Sequence, residues 1–188
     1  MAFMTVMHRA TNDWTVADLE NLPNDGLQYE LIDGVLIVSP APIPLHQRAV
    51  GKLFTVLNSG CPPELEVFFA PLDFQPNFRT SVQPDVLVVR VADLGEKNLT
   101  VAPLLAVEVL SPSTRRKDLV LKRSVYQDAG VAAYWVFDPD EPSFRAWELR
   151  EGQYTEAGFA AGKEKLTLNN PYPVTICPNG IITRQLQL

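Results

Sequence analysis

The chain has 188 residues, 46% of them hydrophobic and 20% charged, and a formal net charge of −6. That length and balance fit one globular domain with a substantial core. They exclude a protein coated with basic residues for general nucleic-acid binding. A local basic rim is still allowed, because fields are screened beyond about 8–10 Å.

No apolar run reaches the roughly 20 residues that a membrane helix needs. The opening "MAFMTVMHRATNDW" has neither a long apolar stretch nor a convincing cleavage site. The cytoplasm is therefore the expected compartment, with no membrane contact, and residues 1–14 are expected to be flexible. Cys61 and Cys177 lack CxxC spacing and read as inert thiols rather than as a zinc site or a disulfide framework.

The first predicted element is a short helix over "TVADLENL" (15–22), with Thr15 as N-cap and Asp18 at N3. "LQYELIDGVLIVSP" (27–40) holds two β-type runs around Asp33-Gly34, a strong hairpin signal. "PLHQRAVGKLFTVLNSG" (44–60) reads as a helix that Pro44 opens and Gly60 stops, with His46, Val50, Leu53 and Leu57 on one face. "ELEVFFAPLDFQP" (64–76) gives one or two strands. "PDVLVVR" (84–90) and "PLLAVEVLS" (103–111) read as buried central strands.

A helix follows from about Arg115 to Ala129. Ser113 or Thr114 can cap it, and Gly130-Val131 fits a Schellman-type end. "AAYWVFDP" (132–139) is a further strand, and "SFRAWELREGQYTEA" (143–157) is a hairpin turning at Glu151-Gly152. Short strands and loops are expected after Gly162. The order suggests a mixed sheet flanked by helices.

Asp85 opens one of the buried strands, and Glu108 lies five residues into the next. Neighbouring strands lie about 4.8 Å apart, so carboxylates at matching height on one face become near neighbours. At about 4 Å and an effective dielectric near 20, their repulsion is about 4 kcal/mol. A proton, a cation or a lysine would offset it. In the helix that follows, Asp118, Lys122 and Tyr126 stand at i, i+4 and i+8 and share a face, so Lys122 can reach over the pair. Two carboxylates and an ammonium on rigid elements fit metal-assisted phosphodiester hydrolysis. The acids would hold Mg²⁺ (or Mn²⁺) through oxygen, and the lysine would stabilise developing charge or orient a water. Arg115, Arg116, Lys117 and Arg123 are either an ordinary charged helix face or phosphate contacts. The first three crowd the start of the helix against its dipole, which a bound anion would relieve.

The stretches "YELIDGVLIVSPAP", "HQRAVGKL", "QPDVLVV", "LLAVEVLSPSTRRKDLVLKRSVYQDAGVAAYWVFDP" and "REGQY" run from about Gln28 to Tyr154. In them the chain resembles the Uma-type restriction-endonuclease-like family, a branch of the PD-(D/E)XK nuclease superfamily. The resemblance implies an α/β (α+β) fold, with a central mixed β-sheet flanked by helices and added N-terminal and C-terminal β-hairpins. The core would span about 27–158 within a single domain over 1–188. It makes Asp85 the first acid and Glu108 the acid of the second half-motif. Leu110 stands where the parent pattern has lysine, and Lys122 is implied to take that place. Glu30 is similar to the extra upstream acid of many members, and His46 lies where the family often shows histidine. Ala133 stands where Glu is often found.

The expected function is a Mg²⁺-dependent DNA endonuclease. A homodimer is expected, because nucleases often cut two strands by pairing two sites. The alternatives are a non-catalytic nucleic-acid-binding or regulatory module, and a homodimeric interaction protein.

Overall fold

The computed structural model describes residues 5–7, 13–112, 115 and 117–183. Arg116 and the capping candidates Ser113 and Thr114 lie outside the described residues.

Two sheets carry the fold. The first has the order β1 (Thr5–Met7), β3 (Val35–Ser39), β2 (Gln28–Ile32), β6 (Thr80–Val82), β5 (Phe74–Asn77). Its β2–β3 hairpin turns where the sequence suggests: Asp33 and Gly34 both have positive φ, at 47° and 78°. Aspartate and glycine are the residues that tolerate this geometry best. Before this hairpin, α1 (Val16–Leu19) begins at Thr15, whose N–H donates to the Asp18 carboxylate at 2.9 Å.

The second sheet is the central one. Its order is β11 (Gln153–Ala161), β10 (Ser143–Arg150), β9 (Ala133–Asp138), β8 (Leu105–Val109), β7 (Val86–Arg90), β4 (Leu65–Phe69). Only β8 and β9 run parallel, so the sheet is mixed. β8 is buried along its whole length, as expected for a strand covered on both faces. The β10–β11 hairpin turns at Glu151-Gly152, again with two positive φ angles.

Helix α2 (Pro44–Ser59) covers one face of this sheet. Pro44 sits in its first turn, where a missing N–H costs nothing, and Ala49, Val50, Leu53 and Leu57 form its buried stripe. The stripe packs on Val86, Val88, Leu105 and Val107 of the alternate face. Each fully buried Leu or Val side chain contributes about 1.5–3 kcal/mol.

The opposite face is covered by the helix that links β8 to β9. This helix departs from the expected uniform α-winding: Lys117–Lys122 is a π-helical turn that runs into α3 (Arg123–Asp128). It ends as the sequence suggests. Gly130 has φ 80°, and the Val131 N–H donates to the Tyr126 carbonyl at 2.9 Å. The C-terminal part adds β12 (Leu166–Leu168), β13 (Val174–Ile176) and α4 (Pro178–Ile182), which close the α2 side of the core. Both cysteines are free. Among the described residues no helix is long and apolar enough to cross a membrane.

Candidate active site

The register of the two central strands sets the site. Val86 pairs with Val107 in the antiparallel β7–β8 ladder. Continuing by one residue places Asp85 opposite Glu108, on one face at matching height. Both line a cleft of about 850 Å³, together with His46, Gln83, Lys117, Asp118 and Lys122.

Glu108 is 2% exposed. Its Oε1 accepts from the Lys122 ammonium at 2.9 Å and from the Tyr126 hydroxyl at 2.6 Å. Lys122 also meets Glu30 Oε1 at 2.8 Å and donates to the Gln83 carbonyl at 3.1 Å. Lys122 therefore joins Glu108 to Glu30. Asp85 is held separately: its Oδ2 accepts from the Val109 N–H at 2.7 Å and faces His46 Nε2 at 3.2 Å.

Glu30 is fully buried and fully committed. Besides Lys122, it takes Lys117 at 2.6 Å on Oε2 and the Gln83 N–H at 2.9 Å on Oε1. It organises the two lysines. The inward turn of Lys117 follows from the π-winding. Side chains five apart diverge by about 140° on an α-helix but nearly align at roughly 4.4 residues per turn. Lys117 is thus buried, and it does not stand on the outer helix face with Arg115 and Arg123.

Arg115 pairs with Asp138 at 2.6 Å, and Arg123 lies over the Trp147 ring at 4.9 Å, both away from the cleft. Asp118 is buried and lines the cleft, and the Tyr134 hydroxyl donates to its backbone carbonyl at 2.6 Å. Leu110, the position of the parent lysine, is buried in the apolar cluster on the α3 side.

Sequence reasoning missed two parts of this site. Gln83 binds Glu30 and Lys122 through its own N–H and carbonyl, while its side chain donates to Asp73 at 2.8 Å. The available signal was Pro84, which holds the preceding residue extended, so that its polar groups point outward. The sequence places Tyr126 only on the helix face of Lys122, yet its hydroxyl bonds the catalytic candidate Glu108.

The electrostatics leave a surplus of negative charge. Burial pushes the Glu108 carboxyl well above the ordinary range; Lys122 opposes this, and Asp85, Asp118 and Glu30 add to it. Burial works against the Glu30 anion too, but Lys122 and Lys117 outweigh it and hold its pKa down at about 2. Burial alone would lower His46; its bond to Asp85 and the charges of Asp85 and Asp118 raise it instead. Burial would also lower Lys122, but Glu108 and Glu30 raise it well above the usual lysine value. Among the described residues, five acidic side chains (Glu30, Asp73, Asp85, Glu108, Asp118) thus lie in or beside the cleft with two lysines, Lys117 and Lys122, and His46.

That surplus suits a divalent cation. No three His, Cys, Asp or Glu side chains form a ready cage among the described residues. Mg²⁺ does not need one, since it is ordinarily bound by one or two carboxylates with waters and substrate oxygens. Asp85 and Glu108 fit that description. Their hydrogen bonds among the described residues go through Oδ2 and Oε1, leaving the second oxygen of each uncommitted.

Comparison with known proteins agrees with this architecture. No curated protein matches the chain. Among solved structures, a protein described as a putative nuclease belonging to DUF820 from Anabaena variabilis superposes with a TM-score of 0.72 at 19% identity, covering 90% of this chain and 97% of that one. The fold is thus restriction-endonuclease-like. Residues 16–178 match the family described as "Uma2: Putative restriction endonuclease". This chain belongs to the Uma2 family.

Proposed function

We propose that this protein hydrolyses phosphodiester bonds in DNA with the help of a divalent metal ion, Mg²⁺ or Mn²⁺. The observation that supports this best is that Asp85, at the start of β7, and Glu108, on the neighbouring β8, line one cleft with further acidic side chains beside them. These two carboxylates would hold the ion. When bound, it would neutralise phosphate charge and lower the pKa of a coordinated water.

The chain's own residues set the conditions for that chemistry. Val109 N–H and His46 fix the Asp85 carboxylate, and Tyr126 fixes Glu108. Lys122 stands beside Glu108, so turning its ammonium toward the cleft would bring positive charge to a phosphate bound there. Lys117 makes that movement affordable in charge terms, because Glu30 keeps an ammonium partner when Lys122 leaves it. A homodimer would present two such sites to two strands.

Calorimetric titration of Mg²⁺ or Mn²⁺ into wild type and Asp85→Ala tests the reading, alongside nicking of plasmid DNA with and without EDTA. Wild type should bind the ion and cleave, and the variant should do neither. Equal heats in both proteins would remove the metal site from the argument.

A further inference from the structure

The helix that carries Lys122 has a second working face. Arg115, Leu119 and Arg123 recur at i, i+4 and i+8 and line a separate groove of about 380 Å³. Its far wall is the uncovered face of β10 and β11, which contributes Arg145, Trp147 and Phe159. Among the described residues none lines both the groove and the cleft.

Three guanidinium groups converge here, alongside the acidic side chains of Asp138 and Glu141, in a chain whose net charge is −6. Two of them are pre-set by stacking. Arg123 lies 4.9 Å over the Trp147 ring, and Arg145 lies 4.9 Å over the Phe159 ring. A guanidinium stacked on an aromatic face keeps its N–H fork at the edge, free for a planar or tetrahedral anion. The existing bonds use little of that capacity. Each guanidinium carries five N–H donors. Among the described residues Arg115 gives one to Asp138 at 2.6 Å, Arg145 one to Glu156 at 3.1 Å, and Arg123 one to the Tyr154 carbonyl at 3.5 Å. Arg115 and Arg145 are 44% and 47% exposed, so the groove is open to a large ligand.

From these contacts we infer that the groove seats a backbone phosphate of the same nucleic acid whose scissile phosphate occupies the cleft. This rests on the nuclease reading and adds to it a place where the polymer is held. Oxyanion recognition by forked guanidinium groups supplies the chemistry. The one helix contributes to both places, with Lys117 and Lys122 in the cleft and Arg115 and Arg123 in the groove, so a single polymer can meet both.

The test is anisotropy of a labelled duplex in EDTA over a range of KCl concentrations, for wild type, Arg123→Gln, Arg145→Gln and the double variant. Each substitution should weaken binding and lower the slope of log affinity against log salt by about 0.9, and the pair by about twice that. Arg145→Lys, which keeps a charge without the fork, should fall between Gln and wild type. Unchanged slopes, or no duplex binding by wild type, would overturn the proposal. So would a change in self-association by sedimentation with the slopes intact, which would make the groove a protein interface. Hydrolysis of bis(p-nitrophenyl) phosphate by the wild-type protein reports on the cleft alone, so failure of the groove and failure of the nuclease reading are distinguishable.

Discussion

Lys117 and Glu30 are 87 positions apart in the chain and 2.6 Å apart in space, and both are buried. Glu30 bonds Lys122 as well, so one carboxylate compensates two ammonium groups out of water. Glu30→Ala should therefore cost about 3–5 kcal/mol, because it strands two buried charges. Lys117→Met should cost less, about 1–3 kcal/mol, since Glu30 keeps Lys122 and the Gln83 N–H. Combining Lys117→Met with Glu30→Ala should cost less than the sum of the two, because fewer uncompensated charges remain. Urea denaturation of the four proteins measures the coupling. Equal costs for the two single substitutions would contradict the shared-anion arrangement.

The same cluster fixes opposite pH responses at its two ends. The Glu30 pKa is lowered from 4.5 to about 2. Its stabilisation is thus full above about pH 4.5 and is lost as pH falls toward 2, an effect of about 3 kcal/mol. Glu108 is shifted the other way by burial and by neighbouring carboxylates. A carboxyl with a raised folded-state pKa stabilises at low pH, and that contribution is lost as pH rises through the raised value. In EDTA, Glu30→Gln should flatten the acid limb of the stability profile. Glu108→Gln should gain on wild type as pH rises from 4 to 8. Thermal melts across that range check both slopes.

Tyr126 donates a 2.6 Å hydrogen bond to Glu108 from a fully buried position. Tyr126→Phe keeps the ring against Tyr134 and removes only that donor. The expected cost is about 1–3 kcal/mol, the range for leaving a buried polar group without its partner. The m-value should stay at the wild-type level, because no surface is newly exposed. A near-zero cost would mean that Glu108 is satisfied without the phenol.

What was legible in the sequence was what strand alternation and α-helical spacing encode. Asp85, Glu108 and Lys122 could be placed together because two adjacent strands and an i, i+4, i+8 face carry them. The turns at Asp33-Gly34 and Glu151-Gly152 could be placed because each demands positive φ. Lys117 could not, since its inward direction depends on a π-turn that leaves no periodic mark in the residues. Gln83 could not, because two of its three roles use backbone atoms that every residue shares. β6, three residues long and paired with β2 through Leu31–Ser81, is too short to show a pattern. Arg145 escaped notice because its partners in the groove come from a helix more than twenty positions earlier.

Metal removal gives the last expectation. If Asp85 and Glu108 hold a divalent ion, that ion binds the folded chain and not the unfolded one, because the two acids meet only through the β7–β8 register. Stabilisation should then grow as RT ln(1 + [L]/Kd), reaching about 2.7 kcal/mol at 100 times Kd. For a chain of this length that is a rise in Tm of roughly 5–11 °C. Asp85→Asn keeps an oxygen for the Val109 N–H but removes the charge, so its Tm should barely respond to Mg²⁺. KCl at matched ionic strength separates site binding from screening, since screening acts on exposed charges and leaves the buried pair largely untouched. A rise that KCl reproduces, or one that Asp85→Asn retains in full, would place the ion elsewhere on the molecule.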